Sequence, residues 1–210
     1  MLMLVYLIAM VNGFCMMSFE MTASKMIAPY FGNSMHVWGS IISVFMLSLA
    51  CGALTGGWYS KVSLNQTKLV SFMLLMVASM LYVRFASDLL IEIIMSTSLS
   101  NNVKLLGVSM ALFAPFSFFS GMITPYSIGL LTSSAQDAGA VTGRVYFVST
   151  LASVVGTLLT SFYFVVWFQI ETIIFINIVL ILAMIFVFLV LKVWGASPLF
   201  ISSESYLKGA

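Results

Sequence analysis

Residues 172–192 read TIIFINIVLILAMIFVFLVLK. Twenty consecutive residues carry no acid or base before Lys192 ends the run, and about 20 predominantly apolar residues is what one helix needs to cross the hydrocarbon of a bilayer. Applied toward the N-terminus, the same criterion marks further spans near 2–27, 37–60, 68–87, 104–131 and 143–168. Short polar breaks separate them: Pro29–His36 with its Tyr-Phe-Gly-Asn turn chemistry, Lys61–Thr67, Ser96–Lys104, Ser133–Thr142, and a tight turn around Gln169–Glu171. The expected fold is all-α, a polytopic integral membrane bundle of about six transmembrane helices. One transmembrane domain would fill residues 1–193, and residues 194–210 would form a short cytoplasmic tail.

Composition agrees. Of 210 residues, 62% are hydrophobic and 7% charged, against about a quarter charged in an ordinary soluble domain. So few charges cannot cover a water-facing exterior, whereas lipid accepts apolar side chains all round a helix. The net charge of +2 includes no Lys/Arg cluster able to neutralise a run of phosphates, which sets nucleic acid aside as a partner. Cys15 and Cys51 sit in apolar runs without CxxC or Cys/His spacing, so they read as small packing residues. No metal or cofactor is expected. The run Leu2–Phe19 lacks a basic leader and a small-x-small cleavage site, and reads as a retained helix.

An even number of spans puts both termini on one side. Lys61, Lys68, Arg144, Lys192 and Lys208 fall on that side, and Lys25, Arg84 and Lys104 on the other. The positive-inside rule then makes the termini cytoplasmic, in a bacterial inner membrane. On the opposite side, Asp88 and Glu92 share one face of Phe85–Met95, with Leu89, Leu90, Ile93 and Ile94 opposite. That pattern fits either a short interfacial helix or the frayed end of the third span.

Small residues recur every fourth position at Ser48, Gly52 and Gly56. They do so again at Ser149, Ser153 and Thr157, beside Ala152, Gly156 and Thr160. Such faces let helices approach closely where no hydrophobic effect acts between them. They serve either packing within one bundle or an interface between protomers. Pro115 and Pro125 in the fourth span, and Asn12-Gly13 in the first, are expected to bend their helices, because proline removes an intrahelical hydrogen bond.

Most charges fall at span ends, where they are cheap. Glu20 does not. At about 1.5 Å per residue from Leu2 it lies roughly 27 Å along the first helix, inside the hydrocarbon or at its edge. A carboxylate there costs a few kcal/mol unless protonated, paired or hydrated. Lys25 is five residues on, about 140° around the helix, so the two share no face unless the helix unwinds before Pro29. Near the same level stand Tyr30, the sole histidine His36, Trp38, Trp167, Gln169 and Glu171. With Glu20 and Lys25 they fit a general acid/base or ligand site, or equally an aromatic belt around one satisfied carboxylate. On the terminal side Arg144 fits a positive-inside anchor, or a charge tie to Asp137 or a helix end.

Three segments resemble the membrane domain of the fused membrane spermidine synthase-like family. They are Phe19-Glu20-Met21 through Lys25-Met26-Ile27-Ala28-Pro29-Tyr30-Phe31-Gly32 to Val37-Trp38-Gly39-Ser40; Gly52-Ala53-Leu54-Thr55-Gly56-Gly57; and Ser120-Gly121-Met122-Ile123-Thr124-Pro125 with Thr142-Gly143-Arg144-Val145-Tyr146-Phe147-Val148-Ser149-Thr150. The resemblance implies a half-transporter-like bundle, similar to six helices of the major facilitator superfamily. By that analogy the small faces of the second and fifth helices would lie at a junction between halves, implying a homodimer or another membrane subunit. Two departures stand out. Lys25 replaces the family's usual arginine, losing its bidentate fork, and the sequence has no GxG loop of the soluble synthase domain. A separate soluble synthase-like chain would have to supply that chemistry.

Three functions follow as expectations. One is a membrane module that binds or moves a small solute, polyamine-related by the resemblance. Another is an accessory subunit of a larger membrane complex, in contact with lipid and a partner subunit. The last is an intramembrane enzyme at the outer surface, with Glu20 as acid/base assisted by Lys25, His36 or Tyr30.

Overall fold

The computed structural model describes residues 2–62, 64–132 and 137–193. The expected tail at 194–210, with Lys208, lies outside the described residues. Among the described residues six helices are each long and apolar enough to cross a bilayer: α1 (Leu2–Phe31), α2 (Met35–Val62), α3 (Gln66–Met95), α4 (Asn101–Leu131), α5 (Ala138–Trp167) and α6 (Ile170–Val193). No strand occurs among the described residues. The protein is a multi-pass membrane bundle.

The turns follow from local chemistry. Gly32, at φ +78°, is the one described residue in the left-handed region and ends α1 with its N–H on the Ala28 carbonyl. The side chain of Asn65 caps α3 by accepting from the Thr67 N–H. Its backbone is clasped by Tyr126 from α4, whose hydroxyl accepts from Asn65 N and donates to Asn65 O. Lys104 Nζ donates to the Met95 carbonyl and so closes the last turn of α3. The Phe85–Met95 segment is the final part of α3, with Ser87 and Ile91 buried against the bundle. It is not a separate interfacial helix. An unbroken helix of 30 residues is about 45 Å long, so its end clears the hydrocarbon while still packing.

α1 and α4 form the centre. α2 lies along α4 and α5 along α1, while α3 and α6 complete the rim. The contacts of the first three helices recur in the last three. Gly13 on α1 meets the backbone of Ser149 on α5, as Gly121 on α4 meets that of Leu49 on α2. Gly156 on α5 meets the backbone of Phe14, as Gly56 on α2 meets that of Met122. Gly13 to Gly121 and Phe14 to Met122 are both shifts of 108, and Leu49 to Ser149 and Gly56 to Gly156 both shifts of 100. One operation therefore relates the two three-helix units. Because each unit crosses an odd number of times, the second runs inverted with respect to the first.

Asn12 Nδ2 donates to the Ser120 carbonyl and Ser120 Oγ donates to Asn12 Oδ1, at 3.1 and 2.9 Å. These residues are themselves 108 apart. Equivalent positions bond to each other only where the two-fold axis passes between them. Asn12 and Ser120 therefore stand beside the axis that relates the two units. The core beside it is aromatic: Phe19, Phe45, Phe113 and Phe116 pack with ring centroids 4.4–6.1 Å apart.

The small-residue faces act inside this bundle. Ser48, Gly52 and Gly56 are buried, with Gly52 and Gly56 against α4, while Ser149, Ser153 and Gly156 lie against α1. The expected junction between halves is not where these residues point. Both Pro115 and Pro125 stand within one assigned helix, α4.

Candidate functional site

Glu20 is buried, with 6% of its surface exposed. It lies eight residues beyond Asn12, about 12 Å along α1. It makes no hydrogen bond or ion pair among the described residues. Burying a carboxylate without a partner is among the costlier things a helix does. The shift of 108 carries Glu20 onto Ile128 of α4, an aliphatic residue that is half-buried where Glu20 is buried.

Lys25 is exposed and does not reach Glu20. α1 continues through Pro29 as one helix, so the rotation of about 140° between the two positions is preserved. Tyr30 and His36 stand some 15 Å further along the axis, in a cleft of about 180 Å³ that Glu20 does not line. Trp38 is half-buried on the first turn of α2. The five residues Glu20, Lys25, Tyr30, His36 and Trp38 thus form no single constellation. Helical continuity separates them.

Trp167 and Gln169 are exposed at the same end. Glu171 pairs with Arg84 of α3 at 2.8 Å, on side chains 60% and 40% exposed. On the terminal side Arg144 is exposed and lines an open hollow with Tyr6, Gly143, Phe147 and Val148. It makes no ion pair among the described residues. The tie to Asp137 does not form.

A second polar cluster crosses the bundle at α1, α5 and α6. Thr160 Oγ1 donates to Ser18 Oγ at 2.8 Å, and Asn177 Nδ2 donates to the same oxygen at 3.0 Å and to the Ile173 carbonyl at 2.9 Å. Ser18, Thr160 and Asn177 are fully buried. Asn177 Oδ1 has no partner, and a flipped amide would lose the bond to Ile173. Thr160 opens a π turn, Thr160–Phe164, inside α5, a local widening that recurs at functional sites and loosens the hydrogen-bond ladder. Glu20 is two residues from Ser18, about 160° around α1. The trio and the carboxylate therefore occupy opposite faces of one helix.

No family model, curated protein or solved structure matches the chain.

Sequence reasoning reached Glu20 but not the trio. Its bonds join residues 142 and 159 positions apart, and serine, threonine and asparagine inside apolar runs carry no local signature of their partners. Asn177 alone, as the one amide within residues 172–192, was a usable hint. The repeat breaks at this level too: the shift of 108 carries Ser18 onto Tyr126, which packs edge-on against Phe72 at 5.3 Å. One unit is polar there and the other aromatic.

Proposed function

We propose that the chain is a membrane module that binds or moves a small cationic solute, with Glu20 as its anionic anchor. One observation carries this reading: Glu20, on a helix long and apolar enough to cross a membrane, is buried among its neighbours and makes no hydrogen bond or ion pair to a described residue. An acid kept on a membrane-crossing helix with no structural partner serves something other than packing. The inverted three-helix units support the same reading, since solute-moving bundles are commonly built this way with their sites between helices near the midplane. The resemblance to spermidine synthase-like membrane domains points to a polyamine-related amine. A single carboxylate receives a single ammonium, so the remaining charges of such an amine must stay hydrated. With the termini cytoplasmic in a bacterial inner membrane, Glu20 opens toward the outer half.

The test is thermal unfolding of the purified protein in neutral detergent, with butylamine, putrescine or spermidine against sodium chloride at equal ionic strength. Amines are expected to raise the midpoint of the wild type and to leave Glu20→Gln unmoved. Equal shifts in both proteins would sink the anchor.

A second reading, an accessory subunit of a larger membrane assembly, draws on α5. It buries the smallest share of itself of the six helices and exposes Tyr146, Phe147, Leu151, Val154 and Phe162 outward. A second copy, another membrane subunit, or a complex that also recruits a synthase-like chain would use that face. Gentle extraction that yields a stoichiometric protein partner, with no amine response, favours this reading over the first.

A further inference from the structure

The cleft at the end of the bundle opposite the termini is built from four helix ends. Tyr30 and Phe31 come from the end of α1, Ser34 from the turn before α2, His36 and Val37 from its start, Met95 from the end of α3, and Asn101, Asn102 and Leu105 from the start of α4. Its volume of about 180 Å³ is several times the roughly 30 Å³ that one water takes in the liquid. Five lining side chains are polar: the Tyr30 phenol, the Ser34 hydroxyl, the His36 imidazole and the Asn101 and Asn102 amides. All five are exposed to solvent, so their donors are not committed to a described neighbour. Each is able to donate, and no carboxylate lines the cleft. Lys104 adds a fixed positive charge at the rim, because its ammonium is held at 2.9 Å on the carbonyl of Met95, itself a lining residue. The opening turns of α2 and α4 contribute backbone N–H groups that helices leave unpaired.

From this we infer that the cleft binds a phosphate group. A phosphate is small enough to enter, can accept from each of these side chains, and carries the charge that Lys104 complements. With Asn12 and Ser120 taken at the midplane, the lining residues of α1 and α4 stand roughly 22–28 Å out by helical rise, at or just beyond the headgroup layer. Both an anionic lipid headgroup and a phosphate-bearing solute reach that depth. The site is independent of Glu20, which lies some 15 Å deeper.

The full-length protein in neutral detergent is titrated with inorganic phosphate against chloride at equal ionic strength, with the unfolding midpoint as readout. In parallel, nanodiscs of phosphatidylcholine with and without 20 mol% phosphatidylglycerol are compared by native mass spectrometry for retained lipid. The double variant Asn101→Asp, Asn102→Asp places two acids in the first turn of α4. Acids there favour the helix, so a loss of binding is not a loss of fold. Lys104→Gln tests the rim charge separately. The double variant is expected to weaken binding by about tenfold or more, and Lys104→Gln by several-fold. Sensitivity to inorganic phosphate identifies a solute site, and sensitivity confined to phosphatidylglycerol identifies a headgroup site. The inference fails if neither probe binds, or if both variants retain whatever the wild type binds.

Discussion

Replacing Gly56 by alanine tests how the bundle is held together. The added Cβ would sit 2.5 Å from the Met122 carbonyl oxygen and 2.6 Å from its Cα. Both are backbone atoms of a packed helix, so neither swings aside. To restore the 3.4 Å of ordinary contact, α2 and α4 must part by about 0.9 Å. A gap of that order forfeits roughly a quarter to a half of the attraction of every atom pair it opens. Gly56 belongs to the most extensive helix pair in the molecule, and the expected loss is about 1–3 kcal/mol. Its repeat equivalent, Gly156, meets the Phe14 carbonyl oxygen at 2.6 Å and should lose a similar amount when made alanine. The two contacts lie in separate helix pairs, so the double variant should be additive within about 0.5 kcal/mol. Gly57→Ala is the control, because nothing stands within 4 Å of its added Cβ. It should be neutral or slightly stabilising. Reversible unfolding in mixed micelles of increasing dodecyl sulfate fraction, followed by circular dichroism, measures all four. A loss at Gly57→Ala as large as at Gly56→Ala would refute the assigned packing face, and strongly unequal losses at Gly56 and Gly156 would refute the repeat.

Two further outcomes follow from the buried polar groups. Ser18→Ala removes the shared acceptor of Thr160 and Asn177 and should cost about 1 kcal/mol in the same assay, as interhelical bonds in membranes do. Ser109→Ala deletes a buried hydroxyl that has no partner, and should cost nothing; equal losses for the two would contradict the hydrogen-bond assignments. In the absence of amine, Glu20→Gln should leave stability unchanged or raise it by about 1 kcal/mol, because the acid is retained at the expense of the empty fold. A loss beyond that size would mean the carboxylate holds the structure together.

The six spans were legible because length and apolarity are local properties; helices emerge within a few residues of the breaks, and the run at 172–192 forms most of α6. The separation of Glu20 from Lys25 was legible for the same reason, since helical rotation needs no tertiary knowledge. The end of α3 was ambiguous because an amphipathic segment packs equally well on lipid or on protein, and only the burial of Ser87 and Ile91 decides. The π turn, the Ser18–Thr160–Asn177 trio and the four-helix cleft depend on which helices become neighbours. Their residues are ordinary in sequence and acquire meaning only when helices distant in the chain pack together; the shifts of 108 and 100 were hidden for a related reason, being carried by backbone approach more than by residue identity.

Equilibrium binding of radiolabelled spermidine to the purified full-length protein, for the wild type and Glu20→Gln side by side, tests the central claim most directly. One saturable site per chain is expected in the wild type, with an apparent affinity lower by about tenfold or more in Glu20→Gln at identical helical content. Identical binding isotherms for the two proteins, or no saturable binding by the wild type, would contradict it.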